Sequence, residues 1–161
     1  GPATVSLALP LYDNLGRLKR SALPVIAALL AGSATAAGSA VAIAAALGVH
    51  PTELASLAPK SATAPVAIGI SESIGGAPTM TAVLVILTGI TGAVVATPLL
   101  NALRIRDWRA RGLATGVASH GLGTARAFQV NPTAGAFAGL GMALNAVATA
   151  FIAPLVLALF R

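Results

Sequence analysis

Leu57-Ala58-Pro59-Lys60-Ser61-Ala62-Thr63-Ala64-Pro65 is a polar break, framed by two prolines, inside the otherwise apolar stretch Glu53–Gly76. Proline has no amide hydrogen to give, so a helix running into Pro59 loses its ladder, while Pro65 suits the first turn of a second helix. On both sides lie runs long enough to cross a bilayer, Ala22–Leu47 before it and Ala77–Leu100 after it; a third, Thr133–Phe160, closes the chain. None of the three holds Asp, Glu, Lys, Arg or His. Each exceeds the roughly 20 apolar residues that a spanning helix needs. All three are rich in small residues, and Gly32, Ala36 and Gly135, Gly139 have the four-residue spacing that lets helices approach closely.

The break decides the fold because of where the charges sit. Asp13–Arg20 carries Arg17, Lys19 and Arg20, and Asn101–Arg111 carries Arg104, Arg106, Arg109 and Arg111. The positive-inside rule places both segments in the cytoplasm. Ala22–Leu47 then runs outward and Ala77–Leu100 inward, so Glu53–Gly76 starts and ends outside. It cannot span once. The expectation is a re-entrant hairpin that turns at Lys60–Ala64, with its non-helical backbone surrounded by protein or water.

A second interrupted segment, Gly112–Asn131, is broken by Ser119-His120-Gly121-Leu122-Gly123-Thr124-Ala125-Arg126 and is again followed by a long apolar run. Leu54-Ala55 and Leu113-Ala114 open the two units, Pro78-Thr79 and Pro132-Thr133 open the long helices, and Pro98-Leu99-Leu100 and Pro154-Leu155-Val156 close them. A hairpin plus one helix is an odd number of crossings, so a tandem copy comes out inverted. The expected fold is an all-α, polytopic membrane protein in one domain, 1–161. Within it, residues 53–100 and 112–160 form an inverted repeat of broken hairpin plus transmembrane helix, the plan in which secondary transporters build midplane sites.

Composition agrees. Of 161 residues, 57% are apolar and 9% charged, against about 25% charged in soluble domains. The net charge of +6 is concentrated in two short loops and aromatic residues are 4%, which does not make a nucleic-acid surface. Without cysteine there is no disulfide or thiolate site. The chain begins Gly1-Pro2-Ala3-Thr4 inside an apolar segment, Gly1–Leu11, too short to span. The expectation is a fragment lacking its first helices.

Lys60, His120 and Arg126 are the only basic residues within apolar segments. Ionisable groups there are costly and are functional candidates by default. Together with half-helix N-termini they suit a small anion. Arg126 offers a bidentate fork for a carboxylate, Ser61, Thr63, Ser119 and Thr124 offer hydroxyls, Gly121 and Gly123 allow close approach, and Asn145 and Thr88, midway along their helices, could line the same cavity. Plainer alternatives stand beside these. Lys60 can snorkel to a headgroup, Arg126 can bind a lipid phosphate at the cytoplasmic face, His120 can be a neutral hydrogen-bonding residue rather than a proton carrier, Asn145 can be interhelical glue, and Glu72 can be a gate or a solvated end. No GxxxxGK[ST] loop, HExxH or His/carboxylate cluster is present, and no acid lies near Ser119-His120 to orient a triad. No cofactor, metal or catalytic residue is expected, and no enzyme.

Both broken stretches, with Gly1-Pro2-Ala3-Thr4, Ala8-Leu9-Pro10-Leu11-Tyr12 and Leu87-Thr88-Gly89-Ile90, resemble the signature motifs of the LrgB/CidB family in order along the whole chain. Ala62 and Ala64 stand where relatives commonly carry Val and Thr. The resemblance implies additional N-terminal segments and two functions. One is antiholin-like or holin-like regulation of murein hydrolase activity and lysis, with a small LrgA/CidA-type membrane partner. The other is carriage of glycolate, glycerate or pyruvate, as in the related plastidic glycolate/glycerate translocator. The reading adopted from the sequence is a carrier of small organic anions, open to proton coupling and to homo-oligomers, in a bacterial inner membrane; lysis regulation is the alternative.

Overall fold

The structure, a computed structural model, describes residues 22–160. The segments Gly1–Leu11 and Asp13–Arg20 therefore lie outside the described residues, as does the motif around Ala8–Tyr12. Among the described residues the chain forms six helices and no strand: α1 Ala22–Ala46, α2 Pro51–Leu57, α3 Ala64–Ser73, α4 Pro78–Ala102, α5 Trp108–Val130 and α6 Pro132–Ala158. The helices α1, α4 and α6 are 25, 25 and 27 residues long and apolar enough to cross a membrane. They match the three expected runs to within two residues at either end. Pro98 and Pro154 do not close their helices, since α4 and α6 each continue for four more residues. A proline so near a helix end disturbs only the last turns.

Helix ends follow from backbone chemistry. The C-termini of α1 and α3 turn through Gly48 (φ 75°) and Gly75 (φ 84°). The amides of Val49 and Gly76 reach back to Ala44 O at 3.1 Å and Ser71 O at 2.7 Å, which satisfies carbonyls the helix leaves open. The end of α4 has the same motif, Ile105 N to Leu100 O at 3.0 Å, but the left-handed position is held by Arg104 (φ 56°). At the N-termini, Asp107 accepts from Arg109 N at 2.8 Å and Asn131 from Thr133 N at 2.9 Å, each capping the helix that follows.

Both interrupted segments are hairpins. In the first, α2 and α3 are joined by the turn 58–63. Ser56, two residues before that turn, ties the hairpin to the chain that follows it: its hydroxyl accepts from Ala77 N at 2.7 Å, while Thr81 Oγ1 lies 2.7 Å from Ser71 Oγ and 3.1 Å from Ser56 O. In the second, α5 breaks at one residue, His120 (φ 42°, ψ −132°). A Cβ on Gly123 would lie 3.1 Å from Thr115 O, whereas eight residues of unbroken helix would separate the two by about 12 Å. The chain therefore doubles back, and residues 108–119 and 121–130 lie side by side.

The helices α1 and α6 run in the same direction, in contact along their length. Val25 and Leu29 share a core with Phe137, Leu140 and Ala148; Ser33 bonds Asn145; Val41 and Ala44 share a second core with Ala153 and Leu157. The first hairpin packs into the second core through Leu54, Ala55, Ala58 and Ile70. The second hairpin packs into the other through Leu113 and Val117. The two hairpins thus enter the bundle from opposite ends. Gly112 and Gly116 allow the second to lie directly on the α6 backbone, since a side chain at either would overlap the carbonyls of Ala134 and Ala138. Outward faces carry exposed Leu23, Ile43, Val94, Phe151 and Leu155, the surface expected of helices facing lipid rather than water.

Candidate functional site

The hairpin tips meet beside two residues of the long helices, Asn145 on α6 and Val85 on α4. Asn145 is fully buried. Its Nδ2 donates to Ser61 O at 3.0 Å in the first tip and to Val117 O at 3.1 Å in the second hairpin. Its Oδ1 accepts from Ser33 Oγ at 2.5 Å and Thr149 Oγ1 at 3.3 Å. Two donors and two acceptor positions are all that a side-chain amide has, so Asn145 is saturated by structure. It holds the site together, and its amide has no capacity left for a solute.

Val85 joins the tips differently. Its side chain packs on Ala62 and Ala67 of the first hairpin, and its carbonyl accepts from His120 Nε2 at 2.8 Å. That bond fixes the tautomer with hydrogen on Nε2. The imidazole lies over Gly89, where a Cβ would come within 2.6 Å of Cε1. One turn on, Gly92 makes room for Ser119, whose hydroxyl would be overlapped by any side chain there. Gly89 and Gly92 together form a flat seat on α4 for the second tip. Sequence reading noted Gly89 only as part of a motif and passed over Gly92, although their three-residue spacing on one helix face was the available signal.

His120 occupies a backbone region that residues with a Cβ rarely enter, at a cost of about 1–3 kcal/mol. Gly121 stands next to it and does not take the strained position. The chain holds an imidazole at the bend instead, and Thr124 Oγ1 donates to His120 O at 2.7 Å to brace it. The Ser119 hydroxyl is buried with no hydrogen-bond partner.

Lys60 is half-buried at the first tip. Its ammonium lies 3.5 Å from Ala36 O and 3.4 Å from Ser61 Oγ, long distances for such a strong donor. Among the described residues the single ion pair is Arg109–Asp107, so no carboxylate neutralises Lys60. A groove of about 490 Å³ approaches from the other end of the bundle between α1 and the first half of α5. Pro24, Val25, Asp107 and Arg109 mark one end, and Gly32, Ala36, Val117 and Ala118 the other. From Pro24 to Ala36 is about 18 Å of helix, more than half of a hydrocarbon core about 30 Å thick. The groove therefore reaches Ala36, a residue whose carbonyl lies 3.5 Å from the Lys60 ammonium, while Lys60 itself does not line it.

The remaining candidates divide. Ser61 is buried at the junction, Thr63 is half-buried as the N-cap of α3 with no side-chain cap bond, Gly123 is buried in the hairpin, and Gly121 is exposed at the bend. Arg126 is exposed and its guanidinium bonds Gln129 Oε1 at 3.2 Å. Six residues of regular helix beyond the bend carry it about 9 Å back toward the basic end. There it lines a crevice with Arg111, which Lys60 does not line. Thr88 bonds its own helix at Leu84 O, and Glu72 is exposed.

Comparison with known proteins gives a consistent result. The sequence profile of the LrgB-like family matches residues 1–159. The chain is 39% identical over 161 residues to the uncharacterized protein YxaC of Bacillus subtilis, covering 100% of this chain and 70% of that one. It is 35% identical over 156 residues to the holin-like protein CidB of Staphylococcus aureus, covering 97% of this chain and 68% of CidB. No solved structure matches.

Proposed function

This chain belongs to the LrgB-like family, and from that premise we propose that it forms the core of a multi-pass carrier for a small organic anion in a bacterial inner membrane. One observation carries the reading. Two hairpins enter from opposite ends of the bundle and meet at Asn145, and the un-neutralised ammonium of Lys60 lies 3.5 Å from the carbonyl of Ala36, a residue at the inner end of a 490 Å³ groove. A charge so placed is costly unless a partner arrives, and a monocarboxylate such as glycolate, glycerate or pyruvate would supply one. The Ser61 hydroxyl, 3.4 Å from the ammonium, would add a donor, and Thr63 and the N-terminus of the half-helix 121–130 would supply others at the hairpin tips. Saturated Asn145 and strained His120 then act as the frame and the hinge. No catalytic group is proposed.

The test is uptake of labelled glycolate, glycerate and pyruvate by the protein reconstituted in liposomes, with and without an LrgA/CidA-type membrane protein. Lys60→Ala should lower uptake by about tenfold or more, the loss expected for a charged hydrogen bond. Uptake that Lys60→Ala leaves intact would remove the anion site. Topology is checked with single cysteines at Gly75 and Asn101, the chain having none of its own. Gly75 should be labelled from outside and Asn101 should not.

The relatives named holin-like protein CidB support a second reading, a holin-like role in lysis; a small LrgA/CidA-type membrane partner is part of that proposal. It predicts that a protein unable to move any of the three acids still alters lysis when deleted from cells. Loss of the lysis effect together with uptake in Lys60→Ala would favour transport as the cause.

A further inference from the structure

Arg111 and Arg126 line one narrow crevice at the basic end of the bundle, with Trp108, Thr97, Ala96 and Leu100. Arg111 is buried and held in a fixed plane. It donates to Ile105 O at 2.9 Å, reaches Thr97 O at 3.5 Å, and lies 4.9 Å over the Trp108 ring. Arg126 reaches the same crevice from the returning half of α5, and its guanidinium bonds neutral Gln129. Among the described residues neither guanidinium has a carboxylate within 4.0 Å. Arg104 and Arg106 add charge in the preceding loop. Two cations facing one crevice repel each other unless an anion lies between them.

The surroundings say which anion. The crevice holds only about 20 Å³, room for about one water-sized atom, so it admits the oxygens of an anionic group while the rest of the ligand lies outside. Outside, one face around from Ala96 and Leu100, α4 presents exposed Val95, Leu99 and Leu103. Trp108, which lines the crevice, is 39% exposed, an amphipathic ring of the kind found at membrane interfaces. Guanidinium forks next to a bare apolar helix face fit a phosphate that carries acyl chains. We propose that this crevice binds the headgroup phosphate of an anionic phospholipid from the leaflet at the basic end, with its chains along α4. Arg126 thereby has a role separate from the Lys60 site, and the proposal does not depend on the carrier reading.

The experiment is lipid titration of the detergent-purified full-length protein, with bound lipid counted by native mass spectrometry. Phosphatidylglycerol should bind at concentrations where phosphatidylcholine does not, and millimolar inorganic phosphate should fail to displace it. Arg126→Ala should weaken phosphatidylglycerol binding about fivefold, the share of one basic residue at an anionic surface. Because Arg111 is buried, Arg111→Lys is the second variant; it keeps the charge, loses the fork and should weaken binding by a similar factor. Equal binding of both lipids would overturn the proposal, as would wild-type affinity in both variants. Displacement by inorganic phosphate would overturn it in favour of a soluble-anion site.

Discussion

The side-chain amide of Asn145 donates to the main-chain carbonyl of Ser61, 84 residues earlier, at 3.0 Å. The same amide donates to Val117 O at 3.1 Å. One side chain thereby holds the two hairpins at a common depth. Asn145→Leu should leave two carbonyls and the Ser33 and Thr149 hydroxyls without that partner and lower stability by about 4 kcal/mol or more, at about 1–3 kcal/mol for each buried group stranded. Asn145→Asp, a near-isostere that keeps at most one donor for two carbonyls, should also be destabilising. Thermal unfolding of the detergent-purified protein reads both, and an aspartate variant as stable as wild type would refute the donor role.

The seat for the second tip yields a contrast among glycines. Gly92→Ala would drive a methyl into Ser119 Oγ, and Gly89→Ala would press on the His120 ring at 2.6 Å. Either should cost about 1–3 kcal/mol as overpacking. Gly38 and Gly69 have nothing within 4 Å of an added Cβ, so alanine there should be neutral or stabilising by up to about 1 kcal/mol. The four melting curves test the hairpin geometry against a general intolerance of glycine replacement.

At position 120 the usual helix preference should reverse. His120→Ala must still hold φ 42° and loses the bond to Val85 O. His120→Gly loses the same bond but takes the bend without strain. The glycine variant should therefore be more stable than the alanine variant by about 1 kcal/mol or more. The opposite order would mean that the bend relaxes when the imidazole is gone.

Asp107 caps α5 and pairs with Arg109 at 2.6 Å. The hydrogen bond from the Arg109 side chain, with further help from the Arg109 amide, holds the carboxyl down from 3.8 to about 2. A group with a folded pKa below its unfolded one stabilises fully above the unfolded value and ceases to do so as pH falls through the folded one. Its contribution should thus be constant above about pH 4 and fade between about pH 4 and pH 2. Asp107→Ala should cost about 1 kcal/mol at neutral pH as a lost cap, and the gap to wild type should close toward pH 2. Melting curves across that range check the sign.

The three long helices and the first break were legible because they depend on local facts. An apolar run of more than twenty residues has few alternatives to a helix, and Pro59 and Pro65 interrupt the ladder whatever surrounds them. The second break was read as eight residues wide. The structure confines it to His120, because Gly121 to Val130 form a regular half-helix as soon as the backbone has turned. That difference moves Arg126 away from the first tip. The sequence grouped it with Lys60 only because both lay near breaks.

Composition and the spacing of charges determined by themselves that this is a helical membrane protein with two interrupted segments. They also implied that the first of these returns to the side it came from. Tertiary structure alone decided that Asn145 is structural rather than free, that α4 seats the second tip at Gly89 and Gly92, and that Arg126 faces Arg111. The physical reason is range. Helix formation and membrane insertion are governed by neighbours a few residues away, whereas the saturation of one amide by groups up to 112 positions distant exists only once the bundle has closed around it.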